Sequence, residues 1–149
     1  MKKSILLFLL ISSTYLYSQT DDYNTKKGFA ANGYDVVAYF KNEASEGNKK
    51  NIFEYDGVKY KFVSKENLNT FKTSPEKYIP EYGGYCAYAV ALKNSKVSIN
   101  PESFQITDGK LYLFYNAWGT NTLELWQKED ESLLIQKANK NWEKIKFKK

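Results

Sequence analysis

The chain has 149 residues, a formal net charge of +5 and no histidine, which excludes Ser-His-Asp and Cys-His catalytic arrangements. All 22 basic residues are lysine, and the lack of arginine, which suits bidentate phosphate contacts, argues against a nucleic-acid-binding protein. Cys86 is the only cysteine, so an internal disulfide is impossible and any soft-metal or thiol chemistry depends on this residue.

Residues 1–18 have the pattern of a secretory signal peptide. Lys2 and Lys3 precede an apolar run, Ile5–Ile11, and small and polar residues then lead to a cleavage point after Ser18. The run is shorter than the roughly 20 apolar residues that a bilayer span requires, so we expect no transmembrane anchor after cleavage. The protein is therefore expected to be exported, to the periplasm of a Gram-negative cell or otherwise to the extracellular space.

The remainder of the chain is predicted to form a short leader and one domain. Residues 19–27 are polar and are expected to be a flexible leader. Residues 28–147 have the length of a single domain that can bury its own core.

The first half of the domain is predicted to contain a strand, a hairpin and a helix. Asp35–Phe40 is rich in valine and aromatic residues, as strands are. Residues 52–63 contain two strand-like runs on either side of an Asp-Gly pair at 56–57, which is typical of a tight β-hairpin turn. Ser64 is the predicted N-cap of a helix that ends at Pro75, because proline breaks the helical hydrogen-bond ladder.

The second half is predicted to add helices and a second hairpin. Tyr85–Leu92 contains good helix formers, with Cys86 on its apolar face. Residues 104–115 repeat the hairpin pattern around a second Asp-Gly pair. Glu131–Lys146 has apolar residues at helical spacing and is predicted to be an amphipathic helix, preceded by a shorter helix that carries Trp126. Hairpins interleaved with helices predict an α+β fold with a small antiparallel sheet.

Several segments, in this order along the chain, resemble those of exported YHS-domain proteins. They are Asn32–Phe40, Asp56–Ser64, Phe71–Tyr78, Tyr82–Val90 with its GGYCAYAV sequence, Asp108–Leu113 and the region around Trp142. The resemblance covers most of the chain that follows the leader. It implies a small treble-clef-like module from a family that is linked to the handling of copper and other heavy metals.

The resemblance also implies a metal site that this chain has lost. Metal-binding YHS domains place three cysteine ligands at positions that here read Ala38, Val63 and Asn67. Thiolates are the ligands that select copper(I), zinc and similar ions, and neither the alanine nor the valine side chain has a donor atom. The usual site of the family is therefore expected to be replaced in this chain.

Cys86 allows three interpretations. Free cysteine is among the most buried residue types, which favours a structural thiol in the core. A position near the start of a helix can stabilise a thiolate, which would suit a copper or zinc ligand or a redox-active thiol. A single thiolate is a weak metal site, so a metal bound through Cys86 would need a second donor, such as Cys86 of a second chain.

A small-ligand pocket is a further candidate site. We expect it at the Tyr34-Asp35 segment and at the turn formed by Tyr82, Gly83, Gly84 and Tyr85, where aromatic rings, a carboxylate and glycines come close in sequence. The function predicted from the sequence is thus a non-catalytic binding or accessory module whose partner is a metal ion or a small molecule. The alternatives are a thiol redox protein that uses Cys86 and a purely structural or interaction module.

Overall fold

The computed structural model describes residues 22–148 and confirms the α+β class. The strands are β1 (Thr25–Lys26), β2 (Phe29–Ala30), β3 (Asn48–Tyr55), β4 (Val58–Phe62), β5 (Asn100–Thr107), β6 (Lys110–Phe114), β7 (Asn116–Ala117) and β8 (Thr120–Asn121). The helices are α1 (Lys65–Thr73), α2 (Pro75–Tyr78), α3 (Ala87–Lys93), α4 (Thr122–Trp126) and α5 (Glu131–Ile145). Within residues 22–148, no helix is both long and apolar enough to cross a bilayer.

Both predicted hairpins form, but they lie in different sheets. The β3–β4 and β5–β6 hairpins turn at Asp-Gly pairs whose φ angles are all positive, as tight primed turns require. The first sheet has the order β1-β2-β4-β3, and β2 runs parallel to β4 at Phe29 and Lys59. The prediction of one small antiparallel sheet is therefore corrected, because the chain before β3 adds a parallel neighbour to the first hairpin and the second hairpin forms a separate sheet.

The segment Asp35–Phe40, predicted as a strand, forms a turn instead. The carboxylate of Asp35 accepts the backbone N–H groups of Val37 at 2.8 Å and Ala38 at 3.2 Å, which bends the chain into a 3-10 turn at Ala38–Lys41. Val37 is nonetheless buried in the core. An apolar, β-branched residue such as valine is typical of strands, but the hydrogen bonds of Asp35 at the start of the segment set the backbone conformation.

The helices agree with the sequence in position, with two differences. Ser64 caps α1 by accepting the N–H of Asn67 at 3.1 Å, as predicted. Pro75 follows the end of α1 but also begins α2, where its missing N–H is not needed. Cys86 is the N-cap residue that precedes α3, not part of the helix, and it packs in the same core cluster as Ala89.

Two aromatic cores lie on either side of α3. In the first, the ring of Phe71 contacts two rings of β4: its centroid lies 4.7 Å from that of Tyr60 and 5.1 Å from that of Phe62. In the second, Trp126 is fully buried against Phe114, with centroids 5.4 Å apart. α3 contributes to both clusters, with Ala89 in the first and Val90 in the second.

The described part of the predicted leader makes specific contacts with the domain. The backbone N–H of Asn24 donates to the carbonyl of Gly83 at 2.8 Å, and its side-chain amide donates to the carbonyl of Gly84 at 3.0 Å. Residues 22–27 therefore belong to the folded unit. The predicted signal peptide, residues 1–18, and the first leader residues, 19–21, lie outside the described residues.

Buried tyrosines make stability sensitive to alkaline pH. Burial raises the pKa of Tyr39, Tyr60 and Tyr82, and burial followed by the charge of Glu81 raises the pKa of Tyr112 to about 12. In the folded protein these pKa values exceed the ordinary tyrosine value of about 10. The protonated buried tyrosines therefore contribute fully to folding stability below about pH 10, and this stability is lost as the pH rises through the raised pKa values. We expect the buried tyrosines to ionise as the protein unfolds, so phenolate absorbance and near-ultraviolet circular dichroism should change together at alkaline pH. Gradual ionisation of all the tyrosines while the protein stays folded would contradict this expectation.

Candidate functional site

A cleft of about 730 Å³ opens beside the 3-10 turn Glu81–Gly84. Tyr82 and Gly83 in this turn line the cleft, and both have left-handed backbone angles, φ 54° and 60°. A side chain at position 83 would collide with the carbonyl oxygen of Asp22, so only glycine lets the first described residues approach the turn this closely. The close approach also brings Asp22 to the edge of the cleft.

One wall of the cleft is a single face of α5. Asn139, Trp142 and Glu143 of α5, with its C-cap residue Lys146, recur at helical spacing and all line the cleft. The Tyr82 hydroxyl donates to the Asn139 side-chain oxygen at 3.0 Å. The rings of Tyr82 and Trp142 meet nearly edge to face, with centroids 6.2 Å apart. These contacts fix an aromatic corner where the turn meets the helix.

The other wall combines a tyrosine with an aspartate from the β3–β4 turn. The Tyr23 hydroxyl donates to the Asp56 carboxylate at 2.7 Å. Burial, followed by this hydrogen bond and the charge of Asp56, raises the pKa of Tyr23. The phenol therefore stays protonated at neutral pH and continues to donate to the carboxylate.

The lining of the cleft carries an excess of negative charge. The acidic residues are Asp22, Asp56, Glu76, Glu81 and Glu143, and the basic residues among the described lining are Lys110 and Lys146. Both lysines already pair with carboxylates of the cleft, at 3.5 Å from Glu81 and 2.9 Å from Glu143. The cleft is therefore acidic although the whole chain has a formal net charge of +5.

Asp35, a predicted pocket residue, is a fully buried structural anchor. One carboxylate oxygen accepts the N–H groups of Val37 and Ala38, and the other accepts the N–H of Val63 at 2.9 Å and the amide of Asn67 at 2.8 Å. Each oxygen thus has two donors, which offsets the cost of burying the carboxylate.

The three positions at which the resemblance places cysteine ligands meet at this carboxylate. The backbones of Ala38 and Val63 and the side chain of Asn67 all donate to Asp35. The amide oxygen of Asn67 is also engaged, because it accepts from the Lys41 ammonium at 2.9 Å. The residues present do not fit a thiolate metal site, since two lack side-chain donor atoms and both polar atoms of the third are already hydrogen-bonded.

Cys86 is fully buried and hydrogen-bonded. Its Sγ lies 3.3 Å from Thr122 Oγ1, and that hydroxyl lies 2.8 Å from the carbonyl of Tyr115. A carbonyl only accepts, so Thr122 gives its one proton to Tyr115 and the thiol of Cys86 donates to Thr122. This geometry favours the structural interpretation of Cys86. Among residues 22–148, no group of three His, Cys, Asp or Glu side chains is placed to hold a metal ion.

The Cys86 thiol is expected to react slowly in the folded protein. The side chain is fully buried, so a reagent in solution does not reach the sulfur while the core is closed. We expect iodoacetamide to modify Cys86 at least about 100-fold more slowly in buffer than in urea, because reaction requires opening of the core. Rapid modification of the folded protein would support the redox interpretation.

Metal binding through Cys86 stays a prediction, and native mass spectrometry of the reduced protein tests it. Copper(I) or zinc retained at one ion per chain or per dimer, and lost in Cys86→Ser, would support a metal site. Equal metal content in the two proteins would contradict it.

Of the six predicted pocket residues, the structure brings two to the cleft. Tyr82 and Gly83 line it, and Gly84 and Tyr85 complete the same turn without lining it. Neither Tyr34 nor Asp35 belongs to the lining. The α5 wall was missed by sequence reasoning, although the helical spacing of its polar and aromatic residues was a usable signal.

No family model, curated protein or solved structure matches this chain.

Proposed function

We propose that this chain is an exported, YHS-like binding or accessory module whose ligand site is the cleft beside the Glu81–Gly84 turn. The observation that carries the proposal is the cleft itself, about 730 Å³ in volume, with an aromatic corner and several charged groups. Ligand sites typically have this size and this mixture of apolar walls with a few polar groups.

The contacts around the cleft support a preformed site. Tyr82 is fixed by Asn139, and Tyr23 is fixed by Asp56. Side chains that are already ordered lose little conformational freedom on binding, so more of the contact energy contributes to affinity. The residues come from the start of the described chain, the first hairpin, the central turn and α5, which makes the cleft a product of the complete fold.

The YHS-like part of the proposal is supported by the meeting of Ala38, Val63 and Asn67 at Asp35. Val63 and Asn67 follow Ala38 by 25 and 29 positions in the chain, yet all three residues converge on one carboxylate, as a shared ligand site would require. In this account the family fold is retained, the thiolate site is replaced by hydrogen bonds, and binding takes place in the cleft.

A blocking variant tests the proposed site. Glu143→Trp places a large side chain on the α5 wall, and Lys140→Trp places the same side chain on the same helix outside the cleft lining. We expect saturation-transfer NMR to detect small fragments with the unmodified protein and with Lys140→Trp, and to lose most of that signal with Glu143→Trp. Equal signals from both variants would contradict the proposal.

A further inference from the structure

We infer that the ligand of this cleft is a small organic cation, an ammonium group carried on an apolar body. This inference rests on the proposed function, because it names the chemical class of ligand for the same site. It combines the charge of the lining with the aromatic corner.

The charge of the lining favours a cation over an anion. Lys110 and Lys146 lie beside Glu81 and Glu143, so a carboxylate of the cleft offsets the charge of each lysine. Glu76 adds a further carboxylate to the lining, and Asp56 receives only the neutral Tyr23 hydroxyl. A cleft of one predominant sign concentrates ligands of the opposite sign, and the low-dielectric walls strengthen the effect.

The aromatic corner supplies the apolar surface for such a ligand. The rings of Tyr82 and Trp142 line the cleft, and aromatic ring faces attract ammonium groups. Lys96 Nζ lies 5.6 Å from the ring centroid of Tyr85 and 5.8 Å from that of Trp142, where the carbonyls of Lys146 and Lys148 and the Asp22 carboxylate hold it. A ligand with an apolar body would also bury that body against these rings.

Three matched probes test the charge of the ligand. Phenethylammonium, phenethyl alcohol and 3-phenylpropionate share a phenyl ring and differ in charge. Titrations followed at the Gly83 amide by ¹H–¹⁵N NMR should show phenethylammonium binding at least about fivefold more tightly than the alcohol, and more weakly at high salt. Asp56→Asn and Glu76→Gln should each weaken it about threefold, while Glu129→Gln, outside the lining, should not.

The outcomes separate the inference from the proposed function. Equal binding of the three probes, or tighter binding of 3-phenylpropionate, would overturn the cationic ligand and leave the cleft as a binding site. A Gly83 amide that none of the probes perturbs would count against both. Asn tolerates the positive φ of 51° at position 56, so Asp56→Asn removes the charge without disturbing the turn.

Discussion

Replacement of Asp35 by alanine is expected to lower the free energy of unfolding by about 3–5 kcal/mol. The carboxylate is fully buried and accepts four hydrogen bonds, three of them from backbone N–H groups. Alanine would remove the acceptor of the Val37 and Val63 N–H groups and of the Asn67 amide, while the Ala38 N–H would keep the backbone carbonyl of residue 35. It would also open a cavity between the 3-10 turn at Ala38–Lys41 and the start of α1. Urea unfolding followed by circular dichroism measures the change.

Two further variants separate the hydrogen bonds from the charge. Asp35→Asn keeps the shape and one acceptor oxygen but turns an NH₂ group toward N–H donors, so we expect it to cost about half as much as alanine. Glu43→Ala changes an exposed carboxylate on the same segment and should cost less than about 0.5 kcal/mol. A loss below about 1 kcal/mol for Asp35→Ala would contradict the anchoring role.

Gly83→Ala is expected to destabilise the protein by about 3 kcal/mol, from steric overlap in addition to backbone strain. The new Cβ would collide with the carbonyl oxygen of Asp22, and the φ of 60° is unfavourable for alanine. Relief of the collision would move the first described residues away and break the hydrogen bond from the Asn24 N–H to the Gly83 carbonyl. The same movement would displace Asp22 and Tyr23 from the cleft, so probe binding should weaken as well.

Gly57→Ala is the matched control for Gly83→Ala. Gly57 also has a positive φ, 75°, but a Cβ there would meet nothing within 4 Å. Its substitution should therefore cost only the backbone strain, about 1 kcal/mol, and leave probe binding unchanged. Equal losses of stability for the two variants would show that the close approach of Asp22 to the turn does not hold in solution.

Local signals in the sequence predicted the elements well. The Asp-Gly pairs at 56–57 and 108–109 fix both hairpins, and Ser64 fixes the start of α1, because each acts on its own neighbours in the chain. The segment Asp35–Phe40 was predicted wrongly because local composition does not decide its conformation. Its composition suits a strand, but its conformation depends on hydrogen bonds that Asp35 makes with residues before and after the first hairpin.

The cleft could be predicted only in part. Tyr82 and Gly83 stood out because a double glycine among aromatic residues marks a close backbone approach. Their partners Asp22 and Trp142 are about 60 residues away in each direction, and no local pattern connects them to the turn. Residue type alone places Tyr34 and Asp35 with the turn, whereas burial gives Asp35 a structural role instead.

The most direct test of the proposed site uses the three tryptophans, which occupy three different environments. Trp142 lines the cleft, Trp126 is fully buried and Trp118 is 96% exposed. In NMR spectra recorded with a fragment mixture balanced for charge, the account predicts a saturable shift of the Trp142 indole N–H while the other two stay in place. A Trp142 signal that does not move, or that moves only together with Trp118, would contradict a ligand site in the cleft.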